Sequence, residues 1–232
     1  LDNNYYYVDK TMLIKDALSD KVTLYTRPRR FGKTVMANMI AAFLTDAVDS
    51  SDIFDHLKIS QDKDYKKHLN QYKVIQINFS ELPDECEDYK TYIRRVHKLW
   101  KEDLQELYPQ LNLDYEDATK DLLRKIHERT GDEFVFVLDE WDYIFHEWFM
   151  TDKDKDDHLA FLSSLLKDQS YVKMMYMTGI LPIAKYSSGS KLNMFVEYTM
   201  AEEEKFSDAF GFTDTEVCLL YTSPSPRDGA TS

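Results

Sequence analysis

Two groups of residues in this chain could do chemistry together. The first is Arg27-Pro28-Arg29-Arg30-Phe31-Gly32-Lys33-Thr34, which follows a short apolar stretch from Val22 to Thr26 and opens an amphipathic run through Phe43. The second is Asp139-Glu140, which follows the unbroken apolar run Phe134 to Leu138. A glycine, a lysine and a hydroxyl residue in succession between a strand and a helix form the working end of a phosphate-binding loop. Backbone amides and the positive end of the helix dipole converge there on one anion. Gly32 allows close approach of the backbone, Lys33 reaches the β- and γ-phosphates, and the Thr34 hydroxyl can ligate magnesium. The triplet alone is weak, because such triplets occur by chance. A second strand that ends in two carboxylates supplies the missing half: Asp139 for the magnesium shell, and Glu140 to orient and polarise the attacking water. Asp142 either supports that shell or caps the element that follows, and the cap is the plainer reading.

The loop departs from the GxxxxGK[ST] pattern. The glycine expected five residues before Gly32 is Arg27, and Pro28 removes one amide donor while fixing its own φ. The loop must therefore take a modified shape, with Arg27, Arg29 or Arg30 supplying charge that glycine amides would otherwise supply.

The elements that must hold these groups are readable from periodicity. Asp9 to Leu18 reads as a short helix feeding the first strand, Val22 to Thr26. The helix after the loop presents Val35, Met36, Met39, Ile40 and Phe43 on one face. Residues 47–70 are polar and broken. Val74 to Phe79 reads as a strand closed by a turn at Leu82-Pro83, Tyr89 to Leu107 as a long helix, and Asp114 to Arg129 as another, ended by Gly131. Trp141 to Met150 is aromatic and partly buried, Asp152 to Asp157 a solvated turn, and His158 to Lys167 a helix. Tyr171 to Met177 and Asn193 to Met200 complete the strands. This alternation predicts an α/β fold with a mainly parallel five-stranded sheet, helices on both faces and the ligand at the carboxyl edge.

The runs YYYVDKTMLI (Tyr5 to Ile14), TRPRRFGKT, VFVLDEWD and MTGI (Met177 to Ile180) resemble the bacterial and archaeal AAA-ATPase-like family. The likeness spans about residues 5–217, and the arginine in place of the first loop glycine is that family's own habit. The resemblance implies a P-loop ATPase of the additional-strand type, with ATP as ligand and Mg2+ as cofactor. Lys33, Thr34, Asp139 and Glu140 would be its working residues, and Thr178, at the end of the strand beside the Asp-Glu strand, either senses the γ-phosphate or caps that strand. Tyr5, Tyr6 or Tyr7 could stack on the adenine, although packing is the commoner use of such a cluster. Adenine over guanine also rests on the resemblance, since no NKxD-type base-reading motif is found. Two readings stand beside hydrolysis. One is a nucleotide-gated binding module with little turnover. The other is the ATPase part of a defence or nucleic-acid processing protein, because members often carry a PD-(D/E)XK nuclease-like region after the ATPase core. Many P-loop ATPases complete their site with an arginine from a neighbouring subunit or a lid, which makes a homo-oligomer an implied partner. No residue here is assigned that job.

Composition sets outer bounds. The 232 residues are 43% hydrophobic and 31% charged, enough to bury the core of one large α/β domain. A formal net charge of −13 argues against broad adsorption to nucleic acid and sets off the arginines of the loop as a local cluster. Two cysteines and six histidines show no disulfide framework or metal-ligand spacing; His146-Glu147 begins like a zincin helix, but position 150 is Met150. No signal peptide and no apolar run of membrane-spanning length are present, which points to a cytoplasmic protein with no membrane partner. The expected organisation is a lead-in over residues 1–20, an ATPase core over 21–217 that is truncated at its C-terminal end, and a tail over 218–232. The tail, CLLYTSPSPRDGATS, breaks from the style of the rest. It resembles a translated sequencing adapter or a natural linker, and is expected to be disordered.

Overall fold

A computed structural model of the chain describes residues 8–20, 22–81, 86–114, 116–183, 195–199 and 209–222. Its centre is a five-stranded sheet of β1 (Val22–Thr26), β2 (Lys73–Asn78), β3 (Phe134–Asp139), β4 (Val172–Gly179) and β5 (Val196–Tyr198), in the order β2-β3-β4-β1-β5 with all pairs parallel. β4 therefore lies between the strand that feeds the loop and the strand that carries the carboxylates. A parallel strand covered on both faces needs apolar residues throughout, and β3 is buried at every position.

Side-chain alternation divides that burial between two cores. Phe134, Phe136 and Leu138 face one side with Met175 and Met177 of β4. They pack there under α5 (Tyr89–Leu107), α6 (Thr119–Thr130) and α7 (Asp152–Leu166). Val135, Val137, Met174, Tyr176 and Tyr25 face the other side, against α1 (Leu13–Asp20) and α2 (Lys33–Leu44). α2 is thus clamped to the face on which Asp139 and Thr178 also fall by the same alternation. Removing a side chain such as Val137 or Ile40 from this clamp would cost roughly 1–5 kcal/mol and loosen the base of the loop. Between α2 and β2 the chain makes two single-turn helices, α3 (Ser51–Phe54) and α4 (Tyr65–His68), as the broken polarity of 47–70 implies.

Several element ends differ from the sequence reading, each for a local reason. The acidic run from Asp152 to Asp157 is the start of α7 and not a turn. Thr151 and Asp154 form a reciprocal capping box, and Asp152 and Asp154 lie in the first turn, where carboxylates complement the helix dipole. α6 begins at Thr119 rather than Asp114, because the Asp114 carboxylate accepts the Glu116 N–H at 3.0 Å and turns the chain. α1 begins at Leu13 because Asp9 accepts from the Thr11 N–H and hydroxyl at 2.9 and 2.6 Å. Gly131 does end α6, with φ of 78°. β5 is three residues long; Asn193 and Met200, expected in it, lie outside the described residues, as do the Leu82-Pro83 turn and Tyr5 to Tyr7.

The first and last described helices are tied to the rest of the fold. Leu13, Ile14 and Ala17 of α1 are fully buried, and Lys10 pairs at 2.8 Å with Glu216 of α8 (Asp214–Thr222). α8 runs across the boundary expected at 217/218, so residues 218–222 are helical and only 223–232 lie outside the described residues. Among the described residues no helix is long and apolar enough to cross a membrane.

Candidate active site

The parallel register brings the strand ends into one row. Asn78 is level with Asp139, Leu138 with Met177, Tyr25 with Thr178 and Thr26 with Gly179. Backbone bonds continue past the strands: the Arg27 N–H donates to the Gly179 carbonyl at 3.1 Å, and the Trp141 N–H to the Thr178 carbonyl at 3.0 Å. The loop, the two carboxylates and Thr178 consequently share one edge of the sheet, where ligands of open α/β folds bind.

On the loop side, Arg30 has φ of 69° and Gly32 φ of 79°. Two left-handed residues so close together coil the chain tightly before α2. A Cβ added at Gly32 would meet nothing within 4 Å, so glycine serves there by allowing the positive φ and not by making room. Gly32 is also the N-cap of α2 and offers no side-chain cap, which leaves the first-turn amides of a twelve-residue helix available to an external acceptor. Lys33 is buried, and its Nζ donates back to the Pro28 carbonyl at 3.1 Å, holding the ammonium over the loop. Pro28, Arg29, Arg30 and Thr34 are exposed, and Phe31 is half-buried. Arg27 differs from its neighbours. It is only 5% exposed, its Nη1 donates to the carbonyls of Thr26 at 2.9 Å and Tyr198 at 2.8 Å, and its guanidinium lies 5.1 Å from the Phe210 ring centroid.

On the strand side, the Thr178 hydroxyl donates to Asp139 Oδ1 and accepts the Glu140 N–H at 3.2 Å. A hydroxyl has one hydrogen, and Asp139 takes it. Thr178 is therefore a strut between the two acidic residues in this state, and contact with a phosphate would require it to release Asp139. The other Asp139 oxygen, Oδ2, is buried without a hydrogen-bond partner among the described residues. A buried carboxylate oxygen with no donor is costly unless a cation answers it. Glu140 is half-buried with φ of 51°, a left-handed conformation that costs a residue with a Cβ about 1–2 kcal/mol.

Asp142 does not take the capping role expected of it. Its side chain does not cap the 3-10 turn Tyr143–His146 that it precedes. It is buried and accepts from the Ile180 N–H at 3.2 and 3.1 Å and from the Leu181 N–H at 3.0 Å, pinning the chain as it leaves β4. Gly179 belongs to the same support. A Cβ there would lie 2.4 Å from Trp141 Nε1 and 2.6 Å from its Cδ1, and Trp141 is fully buried. Trp141 closes against Phe145, edge to face at 5.4 Å, and His158 packs against Phe79, Tyr89, Phe145 and Phe161 on that face. Burial pushes the His158 imidazole down to about 4, keeping it neutral.

Sequence reasoning missed Gly179, Tyr198 and Phe210. Only the Gly179 signal was visible, as the glycine that follows Thr178 in MTGI. Among the described residues no group of three or more His, Cys, Asp or Glu could hold a metal ion. Magnesium at a nucleotide needs no such cage, since it is held by one or two carboxylates together with substrate phosphates and water. The unanswered Asp139 oxygen and the exposed Thr34 fit that donor set.

No curated protein and no solved structure matches the chain. The family model described as Predicted AAA-ATPase matches residues 1–188, which takes in the loop, both acidic residues and Thr178. The chain belongs to this predicted AAA-ATPase family.

Proposed function

We propose that this protein binds ATP with magnesium and hydrolyses it. The observation that carries the reading is the Thr178 hydroxyl, which ties Asp139 and the Glu140 backbone together at the edge shared with an uncapped helix N-terminus and a buried lysine. In this reading the first-turn amides of α2 and the Lys33 ammonium hold the β- and γ-phosphates, with Lys33 exchanging its Pro28 carbonyl for phosphate oxygen. Arg29 and Arg30, exposed on the loop, add positive charge at its rim. Thr34 and Asp139 would hold the magnesium ion, which when bound neutralises charge on the β- and γ-phosphate oxygens. Glu140 accepts a hydrogen bond from the attacking water and orients it in line with the scissile bond. The left-handed backbone at Glu140 supports that role, because strain held in place by surrounding structure concentrates at working residues. Thr178 and Asp142 fix the backbone from which Glu140 and the end of β4 project.

Glu140→Gln tests the assignment: it should retain Mg-ATP binding and lose phosphate release. Normal turnover in that variant would remove Glu140 from the reaction. A second reading, a nucleotide-gated binding module with little turnover, is favoured by the hold that Tyr198 and Phe210 have on Arg27, since it connects the loop to the following segment. Wild-type protein that binds Mg-ATP tightly and releases no phosphate would select it.

A further inference from the structure

Arg27 stands where phosphate-binding loops carry their first glycine, yet its guanidinium is spent on protein. It grips the carbonyls of Thr26 and Tyr198 and lies over Phe210, while its own N–H bonds Gly179. Both aromatic partners pack on Tyr25, whose ring is stacked on Tyr198 at 5.4 Å and tilted against Phe210 at 5.3 Å, centroid to centroid. The next residue, Gly211, has φ of 71°, and a Cβ there would sit 3.6 Å from the Phe31 ring. Residues 198 and 210 thus hold the loop at its start, at Arg27, and Gly211 comes near Phe31 just before Gly32. Further along, Glu216 of α8 pairs with Lys10, so the segment is itself anchored to the core.

A glycine at the start of the loop gives conformational freedom, and an arginine held this way removes it. The guanidinium suits the task because it is planar, donates in fixed directions and lies over a ring while it bonds two carbonyls, a combination that a lysine ammonium does not reproduce. We propose that Arg27 is a positioning residue rather than a phosphate ligand, and that the Phe210 segment is the outer half of the loop's scaffold, coupling nucleotide occupancy to the order of residues 209–217. The proposal rests on the nucleotide-binding reading above. Coupling of this kind is reciprocal: if the segment steadies the loop for nucleotide, nucleotide must steady the segment.

The test is titration calorimetry with Mg-ATP on the full chain, for wild type, Arg27→Lys, Phe210→Ala, the double variant and Phe210→Tyr, joined to amide exchange of residues 209–217 with and without Mg-ATP. Arg27→Lys and Phe210→Ala should each weaken binding by about tenfold, the first through loss of the carbonyl bonds that fix the guanidinium and the second through loss of a desolvated cation–ring contact. The double variant should be no weaker than either single one, because each breaks the same strut. Phe210→Tyr should bind like wild type, and Mg-ATP should slow exchange in 209–217. Should Phe210→Ala not fold, Phe210→Leu keeps the apolar bulk, removes the ring and should show the same weakening. Wild-type affinity in Arg27→Lys or in the Phe210 variant would overturn the proposal, as would losses that multiply in the double variant or exchange indifferent to nucleotide. Wild-type protein that binds no nucleotide would overturn the functional reading and this proposal with it, whereas binding by wild type with an unaffected Phe210 variant removes the proposal alone.

Discussion

Replacing Thr178 with valine deletes one hydroxyl and almost no volume, and the structure specifies what that hydroxyl holds. It donates to Asp139 Oδ1 and accepts the Glu140 N–H, and Asp139 Oδ2 has no partner among the described residues. Asp139 is 1% exposed, so in Thr178→Val a buried carboxylate would be left with no protein donor among the described residues. A hydrogen bond to a charged group is worth about 1.5–3 kcal/mol, and an orphaned buried amide costs about 1–3 kcal/mol. The summed loss is therefore about 2.5–6 kcal/mol, toward the lower end because the Glu140 N–H is only part-buried, and is still a large share of the roughly 5–15 kcal/mol that keeps a domain folded. Urea denaturation followed by circular dichroism should show the midpoint falling accordingly with little change in slope. Thr178→Ser, which keeps the hydroxyl, should lose no more than about 1.5 kcal/mol, chiefly for one buried methyl. Loss of the tether should also let Glu140 drift, lowering turnover by about 100-fold, the effect of a displacement of about 1 Å at a reacting group. A valine variant as stable as wild type, or a serine variant as damaged as the valine one, would refute the strut.

Two further outcomes follow from the same neighbourhood. Glu140→Gly relieves the left-handed strain and should raise the unfolding free energy by up to about 1 kcal/mol in urea, part of the gain being lost to the freer unfolded chain; it should also abolish phosphate release, and a destabilised variant would mean the backbone there is unstrained. His158, fully buried and pushed down to about 4 from 6.5, binds a proton in the unfolded chain before it does so in the fold. Stability should consequently fall as pH drops from about 6.5 to about 4, by about 3 kcal/mol, and this group should contribute no further loss below that. His158→Phe, in a box already made of Phe79, Tyr89, Phe145 and Phe161, should remove that slope, and an unchanged slope would assign it to other groups.

The parallel α/β architecture was legible because β3 is apolar at every position up to Asp139 and because helices recur between strands with clear periodicity. The loop was legible through Gly32, Lys33 and Thr34, whose order is dictated by the anion they would hold. The start of α7 was not, since Asp152 to Asp157 has the composition of a turn and becomes helical through a capping box that depends on the pairing of Thr151 with Asp154. Nor were the partners of Arg27 and Asp142. Tyr198 is 171 residues along the chain from Arg27 and Phe210 lies further still; the pairing of β1 with β5 brings Tyr198 near, and Phe210 packs on Tyr25. The sequence reading offered Arg27, Arg29 or Arg30 as charge for the phosphates; in the fold the Arg27 guanidinium meets carbonyls and a ring.

The most direct measurement is calorimetric titration of Mg-ATP into the wild-type chain and into Lys33→Ala. A saturable heat in the wild type that disappears in Lys33→Ala is the predicted result. No heat in the wild type, or the same heat in both, would contradict the assignment of the loop as a nucleotide site.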